Sequence, residues 1–252
     1  MLILAATPIG NIGDASPRLK ETLAAADVIV AEDTRVTKKL LSLLGVECHA
    51  SFVVANEHSE SSVIDEVLAA AQTSEVVFVS DAGMPGISDP GFAMVQAARH
   101  AQVPVSVIPG PSSGISALAL SGLPTDRFVH EGFVPRKGRS AYFESLAGEA
   151  RTMVFFESPH RLGATLRDAA GALGKDRPAC VVRELTKMFE EVAWGSLAEL
   201  AERFAEGTKG EIVLVMGGRP SPGKRQDERG YQALGCVRAG GQRDRFAQTR
   251  AL

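Results

Sequence analysis

The chain has 252 residues, 45% of them hydrophobic, and a formal net charge of -3, which suits one large domain or two of ordinary size. No apolar run reaches membrane-spanning length and the start "MLILAATPIG" carries no basic segment, so neither an anchor nor a secretory leader is expected. Cys48, Cys180 and Cys236 have neither metal-ligand spacing nor a disulfide pattern, so a reducing cytoplasm is the expected setting and no metal is expected.

Short β-branched runs alternate with longer Ala/Leu-rich amphipathic segments. "MLILAA" reads as a strand, and Ser16-Pro17 as a cap and first turn of a helix to about Ala26. "VIVAED" (28–33) is a second strand, followed by a helix around 37–44 that Gly45 can end. "ASFVVA", a helix near 60–71, "VVFVS", a helix from about Pro90 and "VSVIPG" continue the alternation. Strand runs apolar on both faces predict a mainly parallel, buried sheet in an α/β domain over 1–110.

After "IPGPSSG" (108–114) the rhythm changes. A helix near 112–121, the strand "RFVHEGF", a helix near 139–148 and the strand "RTMVFFE" (151–157) come next. Ser158 and Pro159 read as cap and first helical position of the helix that follows. "PACVVREL" and "FEEVAW" are close enough to pair antiparallel, Ser196 and Glu199 form a capping-box pattern, and "GEIVLVMGG" (210–218) is the last strand. These elements predict a second α/β domain with a mixed sheet over 111–218, and a basic tail over 219–252 in which only "QRDRFAQTRAL" hints at helix.

Charge is uneven along the chain. Residues 1–110 hold 6 basic and 13 acidic side chains, whereas beyond Val215 there are 8 basic and 3 acidic. That balance admits a nucleic-acid partner without requiring one.

Chemistry is expected where strands end and loops begin. "ATPIGNIGD" (6–14) brings Pro8, Gly10 and Gly13 after the first strand, without the spacing of a dinucleotide fingerprint or a P-loop. "SDAGMPGISDPG" (80–91) brings three glycines, Asp81 and Asp89, and no Lys or Arg. A phosphate cradle would want a cation, so this loop suits a cationic or hydroxyl-rich ligand. "AEDTR" places Glu32, Asp33 and Arg35 together, either as site residues or as acids at a helix start. "FFESPHR" brings Glu157, His160 and Arg161, and "RELTK" brings Arg183, Glu184 and Lys187. These three clusters of carboxylate beside base read either as a shared polar site or as structural ion pairs. "VPRKGR" (134–139) is a short basic loop, suited to RNA phosphate or simply solvated.

Taken in order, "TPIGNIGD", "AEDTR", "SDAGMPGISDPG", "VIPGPSS", "LPTDRFVHEGF", "FFESPHR", "RELTKMFEE" and "GEIVLV" resemble the tetrapyrrole-methylase-like S-adenosylmethionine-dependent methyltransferases. Within that group they are most similar to the small-subunit ribosomal RNA methyltransferases, over roughly 1–217. The resemblance implies the class III methyltransferase fold, with two α/β domains and a cofactor cleft between them. It implies 2′-O-methylation of a cytidine ribose in the decoding region of 16S ribosomal RNA by a homodimer. Carried over, the S-adenosylmethionine site draws on Pro8, Gly10, Asp81, Ala82, Gly83, Pro85, Gly86, Ser112, Ser113, Phe133, Gly210, Glu211 and Ile212. The catalytic set implied is Glu32, Asp33, Arg35, Glu157 and Lys187, with Glu157 or Asp33 taking a proton and Lys187 or Arg35 stabilising an alkoxide or holding a phosphate. Beyond Gly218 the resemblance is poor, where the family would place a compact helical tail. A tetrapyrrole methylase and a non-enzymatic RNA-binding protein are the rival readings.

Overall fold

The computed structural model of the chain describes residues 1–56 and 58–220. The expected terminal helix, and nearly all of the expected basic tail, lie outside them. The described residues divide after Ser112 into two compact units.

In the first unit, strands β1 (Leu2–Ala5), β2 (Val28–Ala31), β3 (Ser51–Val54), β4 (Val76–Val79) and β5 (Val105–Ile108) form one sheet in the order β3-β2-β4-β1-β5. Every pairing is parallel, for example Ile3 beside Val77 and Ser106. Helices α1 (Pro17–Ala25), α2 (Thr34–Leu44), α3 (Glu60–Thr73) and α4 (Phe92–His100) make the crossovers. The period-2 alternation of strand side chains sends alternate residues to opposite faces. Leu2, Val30, Val76 and Phe78 pack with Val67 and Met94 from α3 and α4. Ile3, Ile29, Val77 and Val79 pack on the other side with Leu19 and Leu23 of α1 and Leu41 of α2. The edge strand β5 departs from the expected two-sided burial, with Val105 and Val107 exposed.

The second unit opens with α5 (Ser113–Leu120) and builds the sheet β6-β7-β10-β8-β9 from β6 (Phe128–Phe133), β7 (Thr152–Glu157), β8 (Pro178–Arg183), β9 (Glu191–Ser196) and β10 (Ile212–Met216). Only β6 and β7 pair parallel; β7–β10, β10–β8 and β8–β9 are antiparallel. One face buries Phe143, Met153, Phe155, Leu162, Leu166, Leu197 and Leu214 under α6 (Arg139–Ser145), α7 (Leu162–Leu173) and α8 (Leu197–Arg203). Helices α7 and α8 approach closely at Gly163, where a Cβ would overlap the Phe204 carbonyl.

Local signals placed several boundaries. Ser16 accepts from the Leu19 N–H, Gly45 ends α2 in the left-handed region, and the Ser196–Glu199 capping box closes in both directions. Others were corrected. The strand at 28–33 stops at Ala31 because Asp33 turns to cap α2, which begins at Thr34 rather than 37. The strand at 189–194 is shifted to Glu191–Ser196 by its pairing with β8, and α6 ends at Ser145. Ser158 does not cap α7. The helix starts at Leu162, and 158–161 form a turn closed by the Arg161 N–H to the Ser158 carbonyl (3.0 Å).

Candidate functional site

In the first unit the parallel sheet brings the ends of β1, β2, β4 and β5 to one end. The loops that leave them are tied together in sequence across the sheet. The Thr7 N–H donates to the Gly83 carbonyl (2.9 Å) and Gly83 returns the bond to Thr7 (3.1 Å). The Asp33 N–H donates to Asp81 Oδ1 (3.1 Å), while the Asp81 N–H faces Glu32 Oε2 at 3.4 Å. Gly83 has a φ of +83° and Gly86 one of +81°, a region in which a side chain is strained. The Gly86 N–H folds back to the Pro90 carbonyl (2.9 Å), and Glu60 caps α4 from α3 by accepting from the Gly91 and Met94 N–H groups. The glycines of 80–91 thus let two loops bridge and the chain turn into α4.

Charge at this end is set by the same contacts. The Arg35 guanidinium, with the Arg35 N–H, holds the Asp33 carboxyl down to about 2, and Arg35 Nη2 lies 2.6 Å from Asp33 Oδ2. That arginine is almost wholly exposed, so the ion pair adds little to stability. Burial pushes the Asp81 carboxyl up, only partly opposed by the Asp33 N–H.

The corresponding end of the second sheet carries the ends of β6, β7 and β8 and the starts of β9 and β10, since Glu157 and Arg183 both lie beside Ile212 and Arg183 lies beside Glu191. Glu157 is buried. It accepts from the Ser158 N–H (2.6 Å) and the Thr165 hydroxyl (2.5 Å), and Arg161 Nη2 lies 2.5 Å from its Oε1. After β8 the chain turns through Glu184 (φ +49°) and Thr186 (φ +65°). Lys187 Nζ sits between Glu184 Oε1 (3.2 Å) and Glu211 Oε2 (3.0 Å). Burial works against the charge of Lys187, but hydrogen bonds and attraction from Glu211 and Glu184 outweigh it and raise its pKa. Burial likewise raises Glu184, and the Glu211 N–H with Lys187 outweighs that and lowers it. Gly210 (φ +92°) leaves room for the Glu184 side chain, which a Cβ there would overlap. Phe133 at the end of β6 is exposed and leans on Phe156.

The sequence-predicted residues therefore fall into two sets. Pro8, Gly10, Glu32, Asp33, Asp81, Ala82, Gly83, Pro85 and Gly86 lie in strand-end loops of the first unit, Arg35 is in the first turn of α2, and Ser112 is the last described residue of that unit. Phe133, Glu157, Lys187, Gly210, Glu211 and Ile212 lie at one end of the second sheet, and Ser113 opens α5. Sequence reasoning did not find Thr165 as a partner of Glu157 or Glu60 as the cap of α4, because neither sits in a motif with its partner.

The sequence profile described as Tetrapyrrole (Corrin/Porphyrin) Methylases matches residues 1–201. The chain is 50% identical over 220 residues to the ribosomal RNA small subunit methyltransferase I of Mycobacterium tuberculosis (H37Rv), covering 86% of this chain and 77% of that one. It is 43% identical to the protein of the same name from Synechocystis sp. PCC 6803, over 99% of this chain and 93% of that one. The uroporphyrin-III-C-methyltransferase of Thermus thermophilus shares the fold with a TM-score of 0.60 at 18% identity, over 86% of this chain and 94% of that one. The chain belongs to the tetrapyrrole methylases, a family of S-adenosylmethionine-dependent methyltransferases, and within it to the ribosomal RNA small subunit methyltransferase I branch.

The first unit's loops fit that cofactor. S-adenosylmethionine presents a ribose diol, an amino-acid tail and a sulfonium, with no phosphate. Residues 80–91 carry acidic side chains and no Lys or Arg, and turn at glycines with positive φ.

Proposed function

We propose that this chain methylates the 2′-hydroxyl of a cytidine ribose in the decoding region of 16S ribosomal RNA, presented in the small ribosomal subunit, and that it acts as a cytoplasmic homodimer. The observation that carries this reading is the 50% identity, over 220 residues, with an enzyme named for small-subunit ribosomal RNA methylation.

In this reading the cofactor is bound by Pro8, Gly10, Asp81, Ala82, Gly83, Pro85, Gly86 and Ser112 of the first unit and by Ser113, Phe133, Gly210, Glu211 and Ile212 of the second. When bound, it supplies a methyl group activated by the adjacent sulfonium. The chain's own task is to align a poor neutral nucleophile with that group, for which positioning supplies much of the rate. Lys187, kept protonated by Glu184 and Glu211, stabilises the alkoxide as the ribose oxygen loses its proton. Arg35 holds a neighbouring phosphate. The proton passes to a carboxylate of the Glu32–Asp33 pair; Asp33, held at about 2, is a weak base, which favours transfer late in bond formation. Glu157, with its carboxylate taken up by Ser158, Thr165 and Arg161, serves as a positioning residue.

The test is transfer of tritium from labelled S-adenosylmethionine to small subunits from cells lacking the modification, with naked 16S RNA alongside. Label mapped by nuclease digestion and mass spectrometry to one decoding-region cytidine ribose is the expected result. Label elsewhere, or none despite cofactor binding by calorimetry, overturns the reading.

A further inference from the structure

Strand β6 does not run evenly beside β7. Phe128, Val129 and His130 pair with Thr152, Met153 and Val154, but Glu131 is passed over, and Gly132 and Phe133 pair with Phe155 and Phe156. An extra residue in one strand is a β-bulge, and a shift of one residue exchanges the two faces of a strand. Were Glu131 opposite Phe155, Gly132 would come opposite Phe156, and Phe133 opposite Glu157 on the face covered by α6, α7 and α8. The bulge instead sends Phe133 to the other face, where its ring centroid lies 5.4 Å from that of Phe156. His130 packs edge-on to the same Phe156 ring at 5.1 Å, and a Cβ on Gly114 of α5 would lie 3.5 Å from His130. Phe133 keeps 64% of its surface exposed. It is a flat apolar face at a strand end, supported by a second ring.

A pair of side chains holds the bulge. The Tyr142 hydroxyl, from α6, donates to Glu131 Oε2 (3.0 Å). Tyr142 is lodged against the rings of Phe143 (5.5 Å) and Phe155 (6.4 Å), so the hydroxyl is delivered from a packed core. Burial, and then the Glu131 carboxylate, push that hydroxyl well above its usual range, which keeps it a proton donor near neutral pH. Gly132 follows with a φ of +69°, where a side chain would be strained. A carboxylate directed at a hydrophobic helix face is a local conflict, and natural chains keep such conflicts at functional sites. For packing alone, an even strand with an apolar residue at 131 would serve.

We propose that Glu131 and Tyr142 are positioning residues, whose hydrogen bond fixes the bulge that presents Phe133 as a stacking platform for the adenine of S-adenosylmethionine. The proposal rests on the reading above that assigns Phe133 to the cofactor, and adds the two residues that turn it outward. Adenine is the flat part of that cofactor, and every base has a face that can stack on an aromatic ring. Releasing the carboxylate lets residue 131 enter the ladder and turns Phe133 away. The binding-competent population then falls, and apparent affinity falls with it.

The experiment measures S-adenosylhomocysteine affinity by calorimetry, and KM and kcat on small subunits lacking the modification. Phe133→Ala weakens cofactor binding about 10-fold, within the range for loss of a base–ring stack. Tyr142→Phe keeps the ring in its core and weakens binding about 3- to 10-fold, as loss of a hydrogen bond allows. That loss falls on the KM for S-adenosylmethionine rather than on kcat. Glu131→Gln, which keeps an acceptor for the hydroxyl, holds the wild-type affinity, whereas Glu131→Ala matches Tyr142→Phe. The double variant Phe133→Ala with Tyr142→Phe binds no more weakly than Phe133→Ala alone, because the latch acts through that ring. Losses that multiply in the double variant would show a merely structural pair and overturn the proposal. Unchanged affinity in Tyr142→Phe beside a weakened Phe133→Ala overturns the latch and leaves the cofactor assignment of Phe133 standing. Wild-type affinity in Phe133→Ala overturns both, and a raised KM for small subunits in that variant would assign the platform to a substrate base instead. If Tyr142→Phe fails to fold, Glu131→Ala against Glu131→Gln decides the matter.

Discussion

The two units solve the same problem, gathering strand-end loops into one place, by different means. In the first, an all-parallel sheet delivers its C-terminal strand ends together, and the loops are joined by carboxylates and carbonyls accepting from backbone N–H groups: Asp81 from Asp33, Gly83 from Thr7, Glu60 from Gly91 and Met94. In the second, strand ends and strand starts alternate, and ion pairs hold them: Glu157 with Arg161, Lys187 with Glu184 and Glu211, and Glu191 with Arg183 and Arg203. A carboxylate spent on a backbone amide leaves an acidic, uncrowded loop. One spent on a cation orients that cation for use. In the function proposed above, the first arrangement leaves an acidic loop for a positively charged, phosphate-free cofactor, and the second leaves Lys187 oriented for a developing alkoxide.

Four measurements would break or sharpen this contrast. The largest effect is expected at Lys187. Lys187→Ala lowers methyl transfer by about 100-fold or more, as removal of a directed charge at a reacting oxygen does, while calorimetric cofactor affinity changes little. A loss confined to cofactor binding would remove Lys187 from the chemistry.

Next is packing in α7. Gly163→Ala forces a Cβ into the Phe204 carbonyl and costs about 1–3 kcal/mol. Gly171→Ala, on the same helix with open space around it, gains up to about 1 kcal/mol. Urea denaturation of both variants checks the pair, and equal shifts would mean that α7 and α8 do not approach as described.

Asp81→Asn comes third. It keeps an acceptor for the Asp33 N–H and removes the charge, and cofactor binding weakens about 10-fold, equivalent to about 1.4 kcal/mol. Unchanged affinity would show that the acidic character of 80–91 is not used for the sulfonium.

The smallest effect is the order of acid unfolding. Glu184 and Glu191 are lowered from 4.5 in the folded chain: burial opposes this, and their hydrogen-bonded partners outweigh it. His130 is lowered from 6.5 by burial. The contributions of all three are present above those ordinary values and are lost as the pH falls through the folded ones. Asp81, raised from 3.8 by burial, has the opposite sign: its contribution is full below 3.8 and is lost as the pH rises through its folded value. The second unit therefore loosens first on acidification. Emission from Trp194, the chain's single tryptophan, lies in that unit and should change at higher pH than amide protection is lost in β4. The reverse order would mean that ion pairs do not dominate the second unit.

Much of the fold was legible in the sequence because its signals are local. Ser16-Pro17, Gly45 and Ser196 with Glu199 act within one helical turn, and runs such as "VVFV" declare a strand buried on both sides. Ordered motifs over most of the chain also pointed to the methyltransferase family and its cofactor. Partnership between side chains was not legible. Asp81 meets the Asp33 N–H 48 residues away, Glu157 meets Thr165 across a turn that a Ser-Pro cap signal misplaced, and Lys187 meets Glu211 only because β8 and β10 pair. The sequence by itself determined which residues turn, cap and alternate, since those preferences are settled by neighbours along the chain. Only the tertiary structure decided which carboxylate holds an amide and which holds a cation, because strand register sets that distance and burial makes a missing partner costly.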